Sequence, residues 1–124
     1  MSATTFIEYA QSIQALLHET ISTGSAHIVD LHIDPRSNLR GYIAGSLQFN
    51  NASELHFREF IDVNHPTVRV MYAYHYQDRH STLIFRYDNA AHKPPLLQAD
   101  HKHTPNGVEL VSPPTLWQVL DEIL

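Results

Sequence analysis

Six residues within eighteen positions carry side chains that can move protons or hold phosphate: Arg86, Asp88, His92, His101, Lys102 and His103. Histidine titrates near pH 6.5 and so serves as either general base or general acid at neutral pH. Arginine offers a planar, permanently charged fork that matches a phosphate. Lysine adds a compact second charge. Two types of chemistry use this set. One is acid/base transfer at a charged centre. The other is metal ligation, with His101 and His103 as ligands two apart on an extended chain and His92 or Asp88 completing the site. Lys102 between them counts against a cation site, and the sequence holds no HExxH motif.

Elements must bring these residues together. At 124 residues the chain suits a single domain, 1–124. Hydrophobic residues make up 43% and charged residues 17%, a composition that can bury a core. No apolar run is long enough to cross a bilayer, and the start, MSATTFIEYAQSIQ, has neither the basic region nor the apolar core of a signal peptide. A cytoplasmic protein without membrane partners is expected. The absence of cysteine excludes disulfides, thiolate metal sites and a Cys nucleophile. A net charge of −5 argues against binding duplex DNA along the whole chain, but a local cation cluster can still hold nucleic acid.

Phe6, Ala10, Ile13, Leu17 and Ile21 recur at helical spacing behind the cap signal Thr5–Glu8, with Gly24 as the stop. The period then changes to two. Strands are expected over 26–33, 39–49, 54–63, 68–77 and 81–87, with Gly41 and Gly45 marking a bend or bulge in the second. Short connections imply an antiparallel meander. A closing helix over 114–124 is capped by Ser112 or Thr115. The expected class is α+β: a helix packed on about five antiparallel strands, a long His-rich loop and a short C-terminal helix.

Tight turns give a register with Val63 opposite Val68 and Tyr76 opposite Ser81. One face then collects Leu55, Phe57, Ile61, Val70, Tyr72, Tyr74, Tyr76, Phe85 and Tyr87 as core. The other collects His56, Arg58, Asp62, Arg69, His75 and Arg86, with His56 directly across from His75. Glu59 falls on the apolar face, where a carboxylate requires a hydrogen-bond or ion partner, a bulge that turns it outward, or a raised pKa put to catalytic use. Asp88-Asn89 at a strand end is turn chemistry, and Asp88 can also orient a histidine or pair with Arg86.

The combination Phe85-Arg86-Tyr87-Asp88-Asn89, His92 and His101-Lys102-His103, preceded by LHFREFID and YAYHYQD, resembles the TumE family of toxins from two-gene toxin–antitoxin modules. The resemblance runs from about Ile28 to the last helix. Ala91 stands where the family pattern has Pro and Lys93 where it often has a second His, which leaves His92 untouched. The resemblance implies a cognate helix-turn-helix antitoxin as partner, action on RNA, and, by analogy alone, a barnase/RelE-type fold.

Metal-free RNA cleavage needs a base for the ribose 2′-OH, cations for the phosphorane-like transition state, an acid for the leaving 5′-oxygen and contacts for flanking nucleotides. The expected acid/base pool is His92, His101 and His103, with Arg86 and Lys102 as phosphate-side cations. Arg58, His75 and Tyr87 are expected to bind substrate, and Asp88, Asn89 and Glu59 to orient or support. No cofactor is expected. Competing readings are a non-catalytic protein that binds its antitoxin or a nucleic acid, a metal-dependent nuclease, and a nucleotide transferase, the last weakened by the lack of a Gly-rich phosphate loop and a carboxylate pair for magnesium. The strand at 26–33 can pair with a second copy or be covered by the antitoxin.

Overall fold

The computed structural model describes residues 3–124; Met1 and Ser2, the start of the single-domain span and of the stretch read for a signal peptide, lie outside them. Helix α1 (Phe6–Ser22) begins where the Thr5 hydroxyl accepts the Glu8 amide and ends before Gly24 at φ +78°. Its buried stripe is Phe6, Ala10, Ile13, Leu17 and Thr20, so Thr20 takes the place expected for Ile21.

Seven strands follow in simple meander order, each antiparallel to the next: β1 (Ala26–Pro35), β2 (Arg40–Phe49), β3 (Glu54–Asp62), β4 (Arg69–Gln77), β5 (Leu83–Asp88), β6 (His101–Thr104) and β7 (Gly107–Leu110). Helix α2 (Leu116–Ile123) closes the chain with Thr115 as N-cap and Gln118 completing a capping box. Both helices cover one face. Phe6 and Leu17 of α1 and Val119 and Leu120 of α2 pack with Ile43, Leu47, Leu55, Phe57, Tyr74 and Phe85. The opposite face is left open, as an antiparallel sheet permits.

The corrections to the sequence reading have local causes. There are seven strands, because His101-Lys102-His103 lies in β6 of a hairpin and not in a loop. Strand β1 runs through Asp34-Pro35, since a proline at an edge removes no ladder bond that a neighbour requires. The bulge expected in β2 sits instead in its partner β1, at Val29 between the Ile28↔Leu47 and Asp30↔Ser46 pairs. Gly41 faces the Phe6 ring, which would collide with a Cβ there, so this glycine serves packing. Tyr76 pairs with Phe85 and not with Ser81, because Asp78 accepts the His80 and Thr82 amides and builds a longer turn. The slip is even, so Phe85 and Tyr87 keep the core face and Arg86 the open one.

The β3–β4 register holds from Glu54↔Gln77 to Phe60↔Met71, including His56↔His75. Beyond it, Val63 does not face Val68 in the ladder: Ile61 pairs with Arg69, and Val70 is the extra residue. This bulge turns Val70 out to 41% exposure and brings Arg69 to the core face, reversing the sides expected for both.

Candidate active site

Strand alternation puts Arg86 and Asp88 of β5 on the open face, and pairing with β6 sets Arg86 opposite His103 and Asp88 opposite His101. Asp88 is the hub. Its Oδ2 accepts from Arg86 Nε at 2.9 Å, and its Oδ1 accepts from His101 Nε2 at 3.0 Å. His103 Nε2 lies 3.8 Å from Oδ2. Asp88 also accepts the Ala90 amide at 3.0 Å, so one carboxylate turns the chain and gathers Arg86 and the two imidazoles.

His101 is fully buried, and its Nδ1 donates to the Ala99 carbonyl at 2.5 Å. Both ring nitrogens therefore face oxygen acceptors. A carbonyl and a carboxylate only accept, so this geometry is satisfied when a hydrogen sits on each nitrogen or when Asp88 and His101 share one. The loop between β5 and β6 folds His92 back onto the pair. Its ring centroid is 5.4 Å from that of His101 and 5.5 Å from that of His103, the latter stacked at 28°. His92 Nδ1 donates to the Pro94 carbonyl at 2.8 Å, which fixes its tautomer with Nε2 as the second nitrogen.

Asn89 and Asp100 pin the ends of this loop. The Asn89 side chain accepts the Tyr72 amide and donates to the Val70 carbonyl, completing the ladder where β5 leaves β4. Tyr72 Oη donates to Asp100 at 2.7 Å. On the open face, Arg86 Nη1 also approaches His75 Nδ1 at 3.4 Å, and His75 Nε2 donates to Gln77 at 3.1 Å. Desolvation, and then the Arg86 charge, hold the His75 pKa below the ordinary imidazole value. His103 is also lowered, first by desolvation and then by His101, His92 and Arg86, with Asp88 pulling the other way.

The structure thus brings together His92, His101, His103, Arg86, Asp88 and His75. It does not bring Lys102 and Tyr87 to them. These two pair across β5–β6 and point to the helix side. Lys102 Nζ is 2.9 Å from Glu122 and 4.9 Å from the centre of the Tyr87 ring, and Tyr87 Oη donates to Glu122 at 2.6 Å. Alternation within a strand cannot place Lys102 beside both neighbouring histidines. Glu59 is buried on the core side, accepting the hydroxyls of Tyr9 and Tyr74, and Arg69 donates to Tyr74 Oη at 2.8 Å. Burial and the Glu59 charge raise both tyrosines' pKa values, so they stay donors.

A groove of about 270 Å³ adjoins the cluster on the same face, with Arg58, His75 and Arg86 in its lining. Its far side is formed by Asp30, Tyr42 and Ser46, which sequence reasoning missed. The signal was available: even-numbered positions of 39–49 and the residue after the β1 bulge share the open face.

Asp88, His101 and His103 each offer one ligand atom, all within 4.8 Å of one another, a spacing a metal ion can use. Here the Asp88 oxygens are engaged by Arg86 and His101, and His101 Nδ1 by a carbonyl. A fixed guanidinium against the carboxylate competes with a cation for it.

A family profile described as Toxin TumE matches residues 13–124. The chain belongs to the TumE toxin family. Family membership makes it a toxin and implies an antitoxin as partner. Comparisons with curated proteins and with solved structures give no match. Among the described residues of this TumE-family chain, no helix is long and apolar enough to cross a membrane.

Proposed function

We propose that this toxin is a metal-independent endoribonuclease whose centre is the histidine cluster around Asp88. The observation that supports it most is the convergence on the open face of Arg86, His101 and His103 around the Asp88 carboxylate, with His92 packed against both imidazoles. His103, partly exposed and with a lowered pKa, is neutral at pH 7 and takes the ribose 2′-OH proton. The 2′-oxygen then bonds to phosphorus. The bond to the 5′-oxygen breaks, and His92, entering as the imidazolium with its Nδ1–H on the Pro94 carbonyl, gives that oxygen its Nε2 proton. The products are a 2′,3′-cyclic phosphate and a 5′-hydroxyl. Arg86 places its remaining guanidinium N–H groups on the phosphate oxygens. His101 is buried, so its role is positioning: with Asp88 it holds the site together.

The second reading is a metal-dependent nuclease, favoured by the ligand spacing of Asp88, His101 and His103. Mapping RNA ends after incubation with purified toxin, with and without EDTA, separates the two. Cyclic-phosphate ends that persist in EDTA support the first. Loss of cleavage in EDTA, restored by one divalent metal, supports the second. No new ends under either condition rules out both nuclease readings.

A further inference from the structure

The register aligns one cross-strand row over six strands of the open face: Asp30↔Ser46↔His56↔His75↔Arg86↔His103. With strands roughly 4.8 Å apart, the row spans roughly 24 Å. The next row alternates small and large as His32↔Ala44↔Arg58↔Ala73↔Asp88, and the two alanines leave the depression that forms the groove. The groove therefore runs from the cluster, through His75 and Arg86, toward Asp30.

Asp30 is exposed, yet its orientation is fixed: Oδ1 accepts the Ser46 hydroxyl at 2.6 Å. Oδ2 makes no hydrogen bond among the described residues, so it and the remaining lone pair of Oδ1 can accept from a ligand in the groove. Tyr42 supplies an aromatic surface and Arg58 a cation. An aromatic face, a cation and an acceptor-only carboxylate in a trough suit an unpaired base with its backbone phosphate. A carboxylate prefers an edge with two adjacent N–H donors. Guanine presents N1–H and its 2-amino group side by side. Adenine and cytosine present one amino group beside an acceptor nitrogen, and uracil one N–H between two carbonyls.

We propose that the groove is a base-recognition subsite for guanine in single-stranded RNA, with Asp30 as the specificity-determining residue. This rests on the ribonuclease reading for its purpose, but its test does not need cleavage. Fluorescent 2′-O-methyl oligouridylate hexamers, which lack the attacking hydroxyl, are compared with hexamers carrying one G, A or C, using anisotropy. The G-containing hexamer is expected to bind about tenfold more tightly than the others, as one bidentate base contact supplies. Asp30→Asn should abolish that preference while its thermal melt stays unchanged. His103→Ala should keep the preference and lose cleavage of an unmodified RNA. Equal binding of all four hexamers, no binding, or a G preference that survives Asp30→Asn overturns the subsite. A retained G preference in a wild-type protein that cuts no RNA overturns the nuclease reading instead.

Discussion

At the scale of single residues, the proposed mechanism turns on His103 as base and on Asp88 as the group that positions the cluster. Desolvation lowers the His103 pKa below the value near 6.5 that it has when unfolded. Between those two pH values the unfolded chain binds more protons than the folded one. Stability is therefore lost as pH falls through the unfolded value and levels off below the folded one. The neutral base is populated across the same window, so the acid limb of kcat/KM should lie below pH 6.5. NMR titration of the His103 ring checks this, and a midpoint at or above 6.5 contradicts it. Asp88 is 4% exposed and faces Arg86 and His101. Asp88→Asn preserves the acceptor for the Ala90 amide but leaves Arg86 without its counter-charge and weakens the hydrogen bond to His101. We expect a loss of about 3 kcal/mol by urea denaturation. A change under about 1 kcal/mol would mean that solvent screens the pair.

At the scale of elements, packing explains both what could be read in advance and what could not. Gly41→Ala puts a methyl into the Phe6 ring, which is fully buried under the sheet. The expected cost is about 1–3 kcal/mol, read as a lower melting temperature. A neutral outcome would show that α1 slides without cost. Strands β1 to β5 and both helices are legible because their apolar residues keep period against a core. The hairpin β6–β7 has no such record: His101 is buried as a polar residue and β7 is exposed throughout. Its one clear signal is local, Asn106-Gly107 at the turn that joins Thr104 to Gly107. The open-face side of Arg86 is legible from the strand parity of β5, and the approach of His92, His101 and His103 to it follows only as an expectation from a loop folding back. The exclusion of Lys102 is not legible, because a loop imposes no alternation. The sides of Arg69 and Val70 are not legible, because nothing local in the sequence marks the β4 bulge.

At the scale of the whole molecule, the charge is divided between faces. The net charge is −5, yet Arg58 and Arg86 stand with His56, His75 and His103 on the open side, while Lys102 is paired with Glu122 on the helix side. The two permanent charges on this side, Arg58 and Arg86, give RNA binding that weakens with salt. Arg58 is exposed and pairs with Ala44 and Ala73 in the ladder, so its loss should spare the fold. Arg58→Ala is expected to reduce the slope of log affinity against log salt by about 0.7, the share of one single-strand phosphate contact. An unchanged slope would place the RNA elsewhere.

The central claim is that the imidazoles around Asp88 cut RNA without a metal. Its most direct measurement is the single-turnover cleavage rate of a defined RNA in EDTA by wild type, His92→Ala and His103→Ala, each shown to be folded by its thermal melt. The account predicts cyclic-phosphate ends from wild type and a loss on the order of 10²-fold or more in each variant. Wild-type cleavage that both variants retain, or that EDTA abolishes, would contradict it.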